Sequence, residues 1–179
     1  KQCETQRVIV GQKRLEWQKR ITEDYENYTS ALSRGFQSNP QNSVLLSAQL
    51  GKYWEATGKL NEAAHWLPIA INHASLVPLK TQNTLHLKQL SLLNMQGNYQ
   101  KMEKQKAITL KLCQQLKDPR FEAEYCNLVG LAETDQRNYK SANHILEKGL
   151  MLAQKAQDSN LKSYLLLNLG HLASYQAKI

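Results

Sequence analysis

The residues of this chain that could do metal or acid–base chemistry are its histidines, its cysteines and a few close-set carboxylates. His65 and His73 share the stretch GKLNEAAHWLPIAINHAS. They are eight residues apart, more than two turns of helix, whereas two ligands of one metal on a helix sit about one turn apart. His86, His144 and His171 fall in separate parts of the chain. Glu122 and Glu124, like Glu133 and Asp135, are two residues apart, so each pair points to different faces of a helix and cannot act as a carboxylate dyad. Cys3, Cys113 and Cys126 form no C-x-x-C and no cluster with histidine. Two buried thiols are expected at 113 and 126, with a bridge between them as the alternative in an oxidising compartment. Neither G-x-S-x-G nor H-E-x-x-H occurs, and no nucleophile stands beside a base. The expected chemistry is therefore binding: no enzyme, no metal, no cofactor.

Charge is the second signal. The net charge is +8, and residues 83–120 carry seven Lys/Arg against two acids. Lys101, Lys104, Lys106, Lys111 and Lys117 make the core of this basic patch. A surplus of this kind can meet nucleic acid, anionic lipid or an acidic protein. Aromatic residues do not interleave with these lysines, and the lysines spread around the helix, which reads as a solvated outer face more than a phosphate-tracking stripe. No apolar run approaches the ~18 residues that span a bilayer, so no membrane insertion is expected of this segment. No secretory or lipidation signature is legible. The chain opens and stops abruptly, as a segment of a longer protein would. The compartment stays open, the cytoplasm ahead of a periplasmic domain of a membrane-anchored regulator.

The elements that carry these residues are helices. Eight Gly and four Pro among 179 residues leave few turn formers, while Gln, Leu, Ala and Lys favour helix. The chain repeats itself at 45–74, 85–112, 125–153 and 164–179. An apolar-then-small step recurs in each first helix: Leu50-Gly51, Val129-Gly130 and Leu169-Gly170, with Gln89-Leu90 as the poor copy. A turn follows, then Leu60, Tyr99 or Tyr139, and three residues on Ala63, Met102 or Ala142. Leu60 to Tyr99 is 39 residues, and both Tyr99 to Tyr139 and Gly130 to Gly170 are 40. A glycine inside a helix costs about 1 kcal/mol relative to alanine, so each mid-helix glycine predicts close approach of another helix. Gly58 and Gly97 are placed to end first helices at positive φ. Each unit is then a helical hairpin that must stack on its neighbours to bury its apolar face.

These landmarks resemble the tetratricopeptide repeat. Leu50-Gly51, Trp54, Gly58, Leu60, Ala63, Leu67 and Ala70 carry the resemblance in the first copy. Val129-Gly130, Tyr139, Ala142, Leu146 and Gly149 carry it in the third. The period of about 40 is longer than the usual 34 and is similar to the long-repeat type of bacterial regulators, peptide-pheromone receptors and kinesin light chains. Three departures stand out: Leu90 at a small position, Lys106 where a second helix is apolar, and Glu133 where an aromatic is usual. The resemblance implies an all-α fold, a right-handed superhelical solenoid of antiparallel hairpins with repeats at 43–80, 81–119, 120–160 and a half repeat at 161–179. Residues 1–42 read as a long N-terminal helix or a degenerate capping repeat, with Ile21, Tyr25, Tyr28 and Leu32 as its stripe and Asn42 or Ser43 capping the helix after Pro40.

The resemblance also implies a concave groove lined by first helices. By repeat alignment the groove residues are Lys52 and Glu55, with Gln49 and Ala56. The second copy gives Lys88, Ser91, Asn94 and Met95, the third Asn127, Leu131, Thr134 and Asp135, and the fourth Leu167, Asn168, His171 and Tyr175. Asn94, Asn127 and Asn168 are mid-helix residues of poor helix propensity, and an asparagine can clamp a peptide backbone because it donates and accepts. The expected function is a protein- or peptide-binding module, the sensing or assembly segment of a larger bacterial regulatory protein. A peptide-pheromone or small-ligand sensor is one alternative, and a nucleic-acid-associated module using the basic patch on the convex side is another. A homodimer through residues 5–34 is a further possible partnership. Pro68 and His65 fall on the outer side of a second helix, where the proline bends the helix without obstructing a neighbour.

Overall fold

The computed structural model describes residues 14–177, and those residues form helices with no strand among them. The first described helix, α1, covers 14–23. It is followed by α2 (Tyr25–Ser38), α3 (Pro40–Thr57), α4 (Leu60–Asn72), a short 3-10 turn (Ala74–Leu76), α5 (Leu79–Met95), α6 (Tyr99–Leu116), α7 (Pro119–Asp135), α8 (Tyr139–Lys155) and α9 (Ser159–Gln176). Leu60, Tyr99 and Tyr139, the residues that follow each turn in the repeat, are the first residues of α4, α6 and α8.

Local chemistry sets these boundaries. Asn39 caps α3 by accepting from the Asn42 N–H, with Pro40 at the first helical position where it forfeits no bond. The cap is thus Asn39 and not Asn42 or Ser43, because the helix already starts at the proline. Asn98, Asp118 and Asp158 cap α6, α7 and α9 in the same way. Helix α3 is capped at its C-terminus by Gly58 with φ +69°, and α5 by Gln96, followed by Gly97 with φ +63°. At Gly97 the chain makes the Schellman pair: Gly97 N–H to the Asn94 carbonyl at 2.9 Å and Asn98 N–H to the Leu93 carbonyl at 2.9 Å.

The turn Asp135–Asn138 has no glycine, yet it closes the same way. Arg137 takes φ +63°, its N–H meets the Thr134 carbonyl at 3.0 Å, and Asn138 N–H meets the Glu133 carbonyl at 2.8 Å. A side chain in this conformation costs roughly 1–2 kcal/mol, only partly returned by the lower entropy of the unfolded non-glycine chain. Arg137→Gly is therefore expected to raise stability by roughly 0.5–1 kcal/mol, read as a higher midpoint in urea; no change or a lower midpoint contradicts it.

Helices α3 and α4, α5 and α6, and α7 and α8 pack as sequential pairs, and α3, α5, α7 and α9 each also pack on the next of their set. The connections between paired helices are so short that each pair must reverse direction. The inner faces are those the repeat marks: Ala63, Met102 and Ala142 are at most 5% exposed, as are Leu67, Ala70 and Leu146. At the N-terminal end the helical hydrogen bonds continue through Asp24, from its N–H to the Arg20 carbonyl and from Tyr28 N–H to its own carbonyl. The Ile21, Tyr25, Tyr28 and Leu32 stripe lies on the core of α3–α5. Buried Trp54 donates its indole N–H to the Tyr25 hydroxyl at 3.0 Å, and buried Tyr53 shares a hydrogen bond with Thr22 and meets the Trp17 ring edge-on. Helix α4 runs on through Pro68, which is exposed, as is His65. No described helix is long and apolar enough to cross a membrane.

Candidate functional site: a cleft bridged by cross-helix polar pairs

Helices α3, α5, α7 and α9 each line up residues along one face, and polar contacts between these faces link each helix to the next. On α3 this face carries Gln49, Lys52 and Glu55; on α5, Lys80, Thr84, Lys88 and Ser91, each about one turn from the last. By the same helical spacing Glu124, Asn127 and Leu131 share a face of α7, and Tyr164, Asn168, His171 and Tyr175 share a face of α9. A cleft of about 1290 Å³ opens there, bounded by α1, α3, α5 and the start of α9. Its apolar floor includes Ile21, Leu45, Leu46 and Leu50, and Trp17, Tyr28 and Tyr164 stand around it.

These faces are laced by polar contacts between helices. Lys88 sits between two carboxylates, Nζ to Glu55 Oε2 at 2.9 Å and to Glu124 Oε1 at 3.4 Å, which ties α3, α5 and α7 together. Its side chain is only 9% exposed. Burial pulls its pKa down, and the charges and hydrogen bonds of Glu124 and Glu55 more than offset that, so the ammonium is held above its ordinary range. One step along, Asn168 Nδ2 donates to Asn127 Oδ1 at 2.9 Å and joins α9 to α7.

Of the residues expected in the groove, Lys52, Glu55 and Lys88 line the cleft, with Gln49 and Ala56. Lys88 is not a free clamp, because both its partners are on neighbouring helices of the same chain. Asn127 and Asn168 are likewise engaged with each other. Thr134 is turned inward: it is 3% exposed and its hydroxyl donates to the Gly130 carbonyl at 2.9 Å, so it is removed from the groove. Ser91 and Leu131 are half-buried beyond the cleft, His171 and Tyr175 are exposed, and the side-chain oxygen of Asn94 is buried without a hydrogen-bond partner.

The basic patch also changes. Lys101, Lys104, Lys111 and Lys117 are exposed as expected. Lys106 is not part of it: its side chain is 13% exposed, and Nζ pairs with Glu133 at 2.8 Å and with Glu103. Among the described residues no group of three His, Cys, Asp or Glu could hold a metal ion. Cys113 and Cys126 are buried free thiols, pushed by burial up to about 12 and about 11, so neither is a nucleophile near neutrality.

Several cleft residues escaped the repeat alignment. Arg14, Trp17, Arg20 and Tyr28 belong to the N-terminal helices, outside the clear repeats. Lys80, Thr81 and Thr84 lie one or two turns before Lys88, and Tyr164 one turn before Asn168. For the latter group the signal was present, since helical spacing puts Lys80 and Thr84 on the Lys88 face. Comparison with protein-family models, with curated proteins and with solved structures gives no match for this chain, so the site is read from its own residues.

Proposed function

We propose that the chain is a non-catalytic binding module of tetratricopeptide type, a solenoid of stacked helical hairpins that holds a segment of a protein partner in the cleft between α1, α3, α5 and α9. One observation carries this reading: residues from five helices, distant in sequence, meet around one cleft whose wall is pinned by Glu55–Lys88–Glu124. A wall held by cross-helix pairs is preorganised, and preorganisation lowers the entropic cost of binding. The volume of about 1290 Å³ exceeds the roughly 300–1,000 Å³ of common small-molecule pockets, which favours a peptide over a small sensed ligand. The reading of the convex lysines as a nucleic-acid site loses support with Lys106 committed to Glu133.

Selection from a random peptide library tests the proposal. Thr84 lines the cleft and its hydroxyl bonds only to the Lys80 carbonyl of its own helix, so Thr84→Trp fills the space without removing a contact between helices. Peptides enriched on the wild-type chain are expected to be lost on Thr84→Trp and on Ala56→Trp, with melting unchanged. Equal enrichment on all three chains overturns the cleft as the site.

A further inference from the structure

Resting on that reading, we infer that the cleft selects an acidic peptide segment, its carboxylates met by Arg14, Arg20, Lys52 and Lys80 and its apolar side chains by the leucine floor. The inference follows from the charge balance of the lining. These four cations are exposed, and none has an ion-pair partner among the described residues. Asp118 feels Lys80 only at longer range and is itself gripped by Arg120 at 2.6 Å. Glu55 is the one carboxylate in the lining, and it is neutralised by Lys88. Among the described residues the cleft therefore presents four positive charges without an ion-pair partner, on three helices beside an apolar floor, where low-dielectric walls concentrate the field and raise the local concentration of an anionic segment.

The same geometry favours a peptide over a nucleic acid. The cations share the lining with Leu45, Leu46 and Leu50, and a phosphodiester backbone would use only the charge while its sugars lay on leucine. A peptide alternating acidic and apolar residues satisfies both surfaces at once. Gln49, Thr81 and Thr84 in the lining add donors and acceptors for its main chain.

The test uses three fluorescein-labelled probes of equal length: alternating Glu-Leu, alternating Ser-Leu, and a single-stranded oligonucleotide. Fluorescence anisotropy is read at 50 and 200 mM salt. The Glu-Leu probe is expected to bind at least about tenfold more tightly than Ser-Leu at low salt, with the difference shrinking at high salt as screening grows. Lys52→Glu with Lys80→Glu should remove that preference. Lys104→Glu with Lys111→Glu, the same charge change on exposed α6 positions, should leave it nearly intact. Equal binding of Glu-Leu and Ser-Leu, both lost on Thr84→Trp, overturns the acidic preference and leaves the cleft standing. Tightest binding by the oligonucleotide, or a loss on the α6 variant as large as on the cleft variant, overturns it as well. Binding of Glu-Leu that survives Thr84→Trp and Ala56→Trp overturns the cleft itself.

Discussion

Lys88→Met is expected to lower the unfolding free energy by roughly 2–3 kcal/mol, less than the roughly 3–5 kcal/mol typical of a fully buried broken pair. The substitution keeps an apolar stem of similar reach, one atom shorter, and removes the ammonium group, so the cost comes from Glu55 and Glu124. Both lose their cation, Glu55 in the lining of the cleft and Glu124 on the neighbouring helix α7. The discount arises because their side chains are 26% and 38% exposed and water can reach them. Pairing the change with Glu55→Gln should recover part of the loss, which a double-mutant cycle would resolve. The pH dependence has a definite sign. The folded-state pKa of Lys88 is raised above its ordinary value of 10.5, so its contribution is complete below that value and is lost as pH rises through the folded pKa. Urea unfolding at pH 7 and near pH 11 measures this: the gap between wild type and Lys88→Met should narrow at the higher pH. A gap below 0.5 kcal/mol at pH 7 would show that the Glu55–Lys88–Glu124 bridge does not hold the cleft wall, since ordinary surface changes fall within about that range.

Helices and turns were legible because short-range chemistry decides them. Leu60, Tyr99 and Tyr139 begin their helices as the repeat requires, and Gly58 and Gly97 take the positive φ that glycine alone adopts without strain. Pairing across helices was not legible, because it depends on rotations of the helices that spacing does not fix. Two departures from the repeat explain each other only in three dimensions: Lys106, where a second helix is usually apolar, reaches Glu133, where an aromatic is usual, at 2.8 Å. The same limit governs the groove. Alignment grouped Lys52, Glu55 and Lys88, which line one cleft, but nothing in the sequence says that Lys88 is spent on Glu55 and Glu124 while Lys52 has no ion-pair partner among the described residues. The N-terminal contribution to the cleft lay beyond the clear repeats, so Arg14, Trp17 and Arg20 carried no repeat landmark.

The small step in each first helix predicts one substitution with opposite outcomes at equivalent positions. A Cβ on Gly130 would stand 2.5 Å from both Cγ and Cδ2 of Leu146. That leucine is fully buried among Ala142, Ala153 and Leu165, so it has no open space to turn into, and α7 and α8 must part. Overpacking of this kind costs roughly 1–3 kcal/mol against a helix-propensity gain of about 1, so Gly130→Ala is expected to be destabilising by up to about 2 kcal/mol. A Cβ on Gly170 meets nothing within 4 Å, which corrects the expectation that every glycine of the step is covered by another helix. Gly170→Ala should therefore stabilise by about 1 kcal/mol, the propensity term alone. Gly51 lies between these cases. Its Cβ would meet Lys88 Cγ at 2.9 Å, an atom of a flexible stem whose head is fixed by two carboxylates. Gly51→Ala should thus cost more in the wild-type chain than in Lys88→Met, where the stem can move aside, and the two changes should fail to add. Urea midpoints of the three alanine variants decide the matter. Equal shifts at Gly130 and Gly170 would mean that the repeat position itself sets the effect; opposite shifts locate it in what each glycine touches, Leu146 in one case and open space in the other.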